Sequence, residues 1–175
     1  YQFEAIHPFI DGNGRVGRLL IALMLVRWGL LPQPLLYLSA FFFRHRQDYY
    51  DLLMAVSEQG AWAEWISFFL TGVAEQSEDA VTRARRLQDL RADWHNRLTE
   101  ARASALLLQL ADHVFDSPVI TIPQAEEVLG VTYHTAQRHV QRLIDADILH
   151  QAGDADYGRT FVAGEILDVI AADSD

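Results

Sequence analysis

His7-Pro8-Phe9-Ile10-Asp11-Gly12-Asn13-Gly14-Arg15-Val16-Gly17-Arg18 runs without a break into an apolar stretch, Leu19 to Trp28. Pro8 and the Gly12-Asn13-Gly14 triplet signal a loop, and a helical pattern from about Arg15 to Gly29 follows it. Val16, Leu19, Leu20, Ile21, Leu23, Met24, Leu25, Val26 and Trp28 make that helix apolar on most faces. Such a helix is expected in the middle of a bundle. Gly29, then Pro32 and Pro34, mark its end.

The loop reads as a phosphate site. Gly12 and Gly14 permit positive φ and close approach of the backbone to a ligand. Successive N–H groups in such a turn form an anion nest, and this nest opens into a helix N-terminus, which favours phosphate. Arg15 and Arg18 are three apart and share a helix face. Val16 and Gly17 complete the same first turns. Asp11 is a hard oxygen ligand suited to magnesium on phosphates. His7 is the nearby group whose ordinary pKa lies close to neutrality. Taken singly, each has a plainer role: a structural histidine, a glycine turn, an N-capping aspartate, a solvated arginine face. Their conjunction within twelve residues has a common purpose if a polyphosphate sits there.

Working outward, Tyr1 to Ile6 reads as the end of a helix. Ser39 is expected to cap a short helix through Phe41 to Arg44, and a second helix runs from about Gln47 to Glu58, stopping at Gly60. From Ala61 a long helix continues, or breaks near Ser77, towards Leu98, with Trp62, Trp65, Ile66, Phe69, Leu70 and Val73 on one face. After about Ala101 the pattern changes. Helices are expected over Ala103 to Phe115, from a Thr121–Gln124 capping box to Leu129, and from Thr132 or Tyr133 to Ala146. A hairpin, Ile148 to Gln151 and Thr160 to Val162 around a turn from Gly153 to Gly158, precedes a last helix, Gly164 to Ala171. That order is the order of a winged helix-turn-helix. Two domains are expected, residues 1–100 and 101–175, in a mainly α fold.

The chain has 175 residues, half of them hydrophobic, enough for a packed core. Its longest apolar run, Leu19 to Val26, is too short for a bilayer, which needs about 20 residues. No signal-peptide pattern is visible. The absence of cysteine excludes disulfides and thiolate zinc sites and fits a cytoplasmic location. The formal charge of -10 argues against a generic nucleic-acid coat. All 14 basic residues are arginine, so any phosphate chemistry falls to bidentate guanidinium groups.

His7 to Arg18 matches, at every specified position, the Fic-domain signature His-x-Phe-x-Asp/Glu-Gly-Asn-Gly-Arg-x-x-Arg. Phe3-Glu4-x-Ile6, Leu36-Tyr37-Leu38-Ser39, Tyr49-Tyr50-x-x-Leu53 and Trp62-x-x-Trp65-Ile66-x-Phe68-Phe69-Leu70 also resemble bacterial Fic proteins, as does a trailing winged helix. The resemblance implies a Fic-type helical bundle and transfer of AMP from ATP to a Ser, Thr or Tyr hydroxyl of a target protein. It implies His7 as general base and Asp11 as the magnesium-holding carboxylate. It further implies Gly12, Asn13 and Gly14 as the anion hole, and Arg15 and Arg18 on the β- and γ-phosphates. Tyr49 and Tyr50 match paired tyrosines that lie near the nucleotide in relatives; aromatic packing is the alternative for either. Gly14 is the small residue expected for AMP transfer. The family's upstream helices, its flap and its inhibitory helix are expected to lie outside this stretch. No Ser/Thr-x-x-x-Glu-Gly/Asn inhibitory pattern is visible, and a glutamate for the reverse, AMP-removing reaction is not apparent.

In the second half, His134, Gln137, Arg138, Gln141 and Arg142 stand where a recognition helix would read DNA. From Ser117 onward, ten acids face three arginines, a poor match for DNA. A protein partner is the favoured expectation there, with a homodimer left open and a nucleotide-sensing, DNA-binding regulator as the alternative.

Overall fold

A computed structural model describes residues 1–34, 36–153 and 158–172. The described residues form α1 (Gln2–Ile6), α2 (Asn13–Arg27), α3 (Leu38–Arg44), α4 (Arg46–Gln59), α5 (Trp62–Glu100), α6 (Ala105–Asp116), β1 (Val119–Thr121), α7 (Ile122–Leu129), α8 (Tyr133–Asp145), β2 (His150–Ala152), β3 (Thr160–Val162) and α9 (Gly164–Ala171). The chain divides into two compact units, Tyr1–Thr82 and Arg83–Asp175. The division falls inside α5, earlier than the boundary drawn near residue 100. Its cause is visible in the second core, which takes in Trp94 and Leu98 and, at its edge, Leu87 and Leu90.

The first unit packs around Leu36, Leu38, Phe41 and Phe42, with Ile21, Leu25, Tyr49, Phe68 and Phe69 against them. Phe41, Phe42 and Phe68 form an aromatic cluster, with ring centroids 5.0–6.1 Å apart. Ser39 lies inside α3 rather than capping it; Tyr37 stands at the N-cap and no side chain caps the helix. Gly60 ends α4 in the left-handed region at φ 68°, where glycine has no steric cost. The helix starting at Trp62 continues through Ser77 without a break. Within it the Ser77 hydroxyl donates back to the Val73 carbonyl at 2.7 Å, so its side chain bonds along the helix.

Among the described residues of α2 only Asn13 and Gly17 are buried, and Leu19, Leu23 and the flanking Trp28 are each more than half exposed. Apolar patterning reports how many faces a helix could bury. Here Ile21 and Leu25 turn one of those faces to the first core.

In the second unit α6, α7 and α8 enclose Leu107, Leu110, Val114, Ala125, Val140 and Leu143, all buried. Ser104 caps α6 by accepting from Leu107 N. The Thr121–Gln124 capping box is present in both directions. Gly130, at φ 62°, turns α7 into α8. The hairpin is joined by a strand that the alternation rule missed. β1 pairs antiparallel with β3, giving the order β1-β3-β2 with Ile120 opposite Phe161 and Gln151 opposite Phe161. Val119-Ile120-Thr121 is too short for a periodicity to emerge. Most of the expected Gly153 to Gly158 turn lies outside the described residues.

No helix among the described residues is long and apolar enough to cross a membrane.

Candidate functional site

α1 ends at His7, which adopts the left-handed conformation (φ 50°, ψ 57°) while its N–H donates to the Phe3 carbonyl at 3.1 Å. The imidazole is exposed. Its Nδ1 lies 3.4 Å from the Glu4 carbonyl oxygen. A carbonyl only accepts, so Nδ1 is the donor in this contact.

Between His7 and α2 the loop is closed by Asn13. Its side chain accepts from Phe9 N at 2.9 Å and donates to the Phe9 carbonyl at 2.6 Å. The residue is only 2% exposed. Each such bond contributes about 1 kcal/mol net, and breaking one leaves a buried polar atom unpaired. Gly12, the N-cap, stands at φ 84° and contributes no side chain to the helix start. The first-turn N–H groups of Asn13, Gly14 and Arg15 therefore have no carbonyl within the helix to bond. They lie at the positive end of a 15-residue helix dipole.

Both arginines fold back over this end. A β-carbon built on Gly14 would lie 3.1 Å from an Arg18 terminal nitrogen, and one on Gly12 would lie 3.5 Å from Arg15. Arg15 also reaches Asp11 at 3.4 Å, while Asp11 accepts from Gly12 N at 2.6 Å. The Arg15 and Asp11 side chains are 76% and 90% exposed, so this ion pair is worth about 0–1 kcal/mol and yields readily to a ligand.

Asp11 fits magnesium in one respect. It is a hard, solvent-facing carboxylate next to open amides, and magnesium keeps several waters and takes other ligands from phosphates. No group of three or more His, Cys, Asp or Glu placed to hold a metal exists among the described residues.

Gly17 and Arg18 also border a cavity of about 460 Å³ in the first unit, lined chiefly by α1, α2 and aromatic residues of α3–α5. His7, Asp11 and residues 12–15 do not line it. Glu4, Arg18 and Tyr49 form its polar end. Burial pushes the Tyr49 hydroxyl up to about 12; the Glu4 carboxylate adds to the rise, and the Arg18 guanidinium offsets part of it. Tyr49 packs on Phe42 and Trp65 at 4.9 and 5.5 Å. Tyr50 is half exposed, with Arg46 stacked 5.6 Å over its ring.

Glu4 was not among the expected site residues, yet it meets His7, Gly17 and the surroundings of Tyr49. A β-carbon on Gly17 would lie 2.6 Å from Glu4 Oε1. The local signs of Glu4 are its place three residues before His7 and its part in the Phe3-Glu4-x-Ile6 stretch.

In the second unit, His134 and Arg138 are exposed on α8, and Gln137 and Arg142 are half-buried. His139, on the inner face, is 7% exposed, and its Nδ1 is buried without a hydrogen-bond partner. Burial pulls its pKa down, and Arg138 and Arg142 add to the effect.

Comparison with known proteins gives one family match, at the N-terminal end, and several partial relatives. Residues 1–25 match the model of the Fic/DOC family. A probable protein adenylyltransferase of Aquifex aeolicus is 48% identical over 59 residues, which are 34% of this chain and 16% of that protein. The protein adenylyltransferase Fic of Aedes aegypti is 41% identical over 58 residues, 33% of this chain and 10% of that protein. The chain thus spans about a tenth to a sixth of the length of these curated relatives. A MarR family transcriptional regulator from Silicibacter pomeroyi aligns over 67% of this chain and 74% of its own, at 15% identity and a TM-score of 0.34, too low a likeness to support an argument. Residues 1–25, which hold the His7–Arg18 loop and most of α2, are thus the part of the chain that is similar to the Fic/DOC family.

Proposed function

We propose that this chain takes part in transfer of AMP from ATP to a side-chain hydroxyl of a target protein. The observation that carries the reading is the arrangement around the start of α2. An exposed histidine precedes a helix N-terminus whose first-turn amides have no partner within the helix, and Arg15 and Arg18 come close to Gly12 and Gly14 there. In this reading the first unit is the C-terminal part of a Fic-type helical bundle.

The roles follow from the donor set. The amides of Asn13 and Gly14, with the glycine-permitted bend at Gly12, cradle the phosphates. Arg15 and Arg18 neutralise charge on the β- and γ-phosphates. Val16 and Gly17 continue the helix that presents them. His7 Nε2 takes the proton of the incoming Ser, Thr or Tyr hydroxyl. The oxygen forms a bond to the α-phosphorus, the α–β bridging bond breaks, and pyrophosphate leaves with its electron pair. A magnesium ion held by Asp11 would neutralise the triphosphate. A positioned base contributes about 10²–10⁴ in rate, and positioning with electrostatics supplies most of the remainder. Tyr49 and Tyr50 are assigned to the nucleotide side of the site, Tyr49 through its neighbour Arg18.

For the second unit we assign a winged helix-turn-helix that binds protein rather than DNA. Its element order and three-stranded sheet support the first part. The excess of acids after Ser117 supports the second. A salt-dependent shift with duplex DNA would reverse that choice and bring His134, Gln137, Arg138 and Arg142 into contact with it.

The test is incubation of the full-length protein with α-labelled ATP, magnesium and lysate, beside His7→Ala. Label on a protein with the wild type and none with His7→Ala, while ATP still binds, is the expected result. Equal labelling by both removes His7 from the reaction.

A further inference from the structure

Asn13 sits in the middle of the phosphate loop, yet its side chain faces inward. It is 2% exposed, and both ends of the amide are spent on one residue, Phe9. The carboxamide makes a closed ring with the Phe9 main chain, accepting from N–H and donating to C=O. Asn13 is the first residue of α2, and Phe9 lies two residues beyond His7. The ring therefore joins the open end of α2 to the segment carrying the histidine.

The other side of His7 is held by α1. Its N–H bonds to Phe3 O, and its ring meets Glu4 O. The Phe9 ring in turn packs on Phe3 at 6.3 Å. His7 thus lies between two anchors, one made by α1 and one made by Asn13. The remaining side-chain tie between this loop and α2 among the described residues is Arg15 to Asp11. That tie is long, solvent-exposed and lies on groups that a triphosphate would engage. Fixing the distance from histidine to helix amides falls to the Asn13 carboxamide.

We propose that the Asn13 side chain is a positioning residue that holds the His7 segment at a fixed place against the first turn of α2. As far as rate is concerned, the proposal rests on the AMP-transfer reading above; the tie itself does not.

The experiment uses the full-length protein with Asn13→Ala and Asn13→Asp, read in three ways. Amide hydrogen exchange at Phe9 should be protected in the wild type and fast in Asn13→Ala, whether or not any activity is found. Transfer at saturating ATP should fall by about 10²-fold in Asn13→Ala, the cost of a misplacement near 1 Å. ATP affinity, measured by titration, should change by only a few-fold, because the helix amides stay in place.

Asn13→Asp separates the two bonds. A carboxylate still accepts from Phe9 N but cannot donate to the Phe9 carbonyl. Phe9 protection in Asn13→Asp should therefore lie between that of the wild type and that of Asn13→Ala, and the transfer rate should follow the same order.

Unprotected Phe9 in the wild type, or Phe9 equally protected in Asn13→Ala, overturns the proposal. So does a loss of ATP affinity as large as the loss of rate. A wild type that transfers no AMP, but shows Phe9 protected and released by Asn13→Ala, overturns the AMP-transfer reading and leaves the tie standing.

Discussion

The backbone of Gly72 in α5 lies directly against the ring of Phe41 in α3. A β-carbon at position 72 would fall 2.5 Å from Phe41 Cδ1, and Phe41 is itself only 2% exposed. Neither side has room to give, since Phe41 is packed by Phe42 and Phe68 at 5.9 and 5.0 Å. Gly72→Ala should destabilise the first unit by about 1–3 kcal/mol through overpacking, despite alanine's better helix propensity. A urea midpoint equal to or above that of the wild type would show that the contact relaxes freely.

A similar all-or-nothing contact ties the second unit. The Trp94 indole N–H donates to Glu165 at 2.6 Å, and Trp94 has no exposed surface. Arg97 reaches the same carboxylate oxygen at 3.4 Å. Glu165→Ala leaves the buried N–H without an acceptor and should cost about 1–3 kcal/mol. Glu165→Gln keeps an acceptor and should cost less. Denaturant titration followed by tryptophan fluorescence separates the two, and equal losses would argue against the hydrogen bond as the cause.

The pH dependence of stability should show His139. Burial first, then Arg138 and Arg142, hold its pKa below the ordinary 6.5. The unfolded chain binds that proton more readily, so stability is full above about pH 6.5 and falls as pH drops below it. Comparing wild type with His139→Leu between pH 7.5 and 5 tests this, a window above most carboxylate titration. The variant should lose part of the acid-side decline. An unchanged slope would mean the imidazole titrates as in the unfolded chain.

Asp11→Ala separates the carboxylate from the amide cradle. The substitution removes the acceptor of Gly12 N and the partner of Arg15, both at the surface. Fold stability should change by less than about 1 kcal/mol. ATP affinity in magnesium should fall towards the value measured in EDTA, and chelation should then have little further effect on the variant. A variant as responsive to chelation as the wild type would take Asp11 out of metal binding.

Much of the local structure could be read without coordinates because its causes are local. Gly60 and Gly130 stop helices through a conformation that costs glycine nothing. Thr121 and Gln124 close a capping box over four residues. The elements missed were those whose cause lies far off in the chain. β1 exists because Ile120 pairs with Phe161. Tyr37 rather than Ser39 starts α3 because Leu38 is buried, at 4% exposure. Glu4 joins the site because Gly17 lets α1 approach α2.

The order of residues from His7 to Arg18 determined, unaided, which groups are available: one base, one hard carboxylate, two flexible backbone positions and two guanidinium groups beside a helix start. Those are matters of covalent composition and short spacing. Only the tertiary structure decided which way they face. Asn13 turns its amide inward to Phe9, and Ile21 and Leu25 of α2 face the first core. Facing is set by what packs where, and packing partners are brought together by contacts that short-range patterning does not encode.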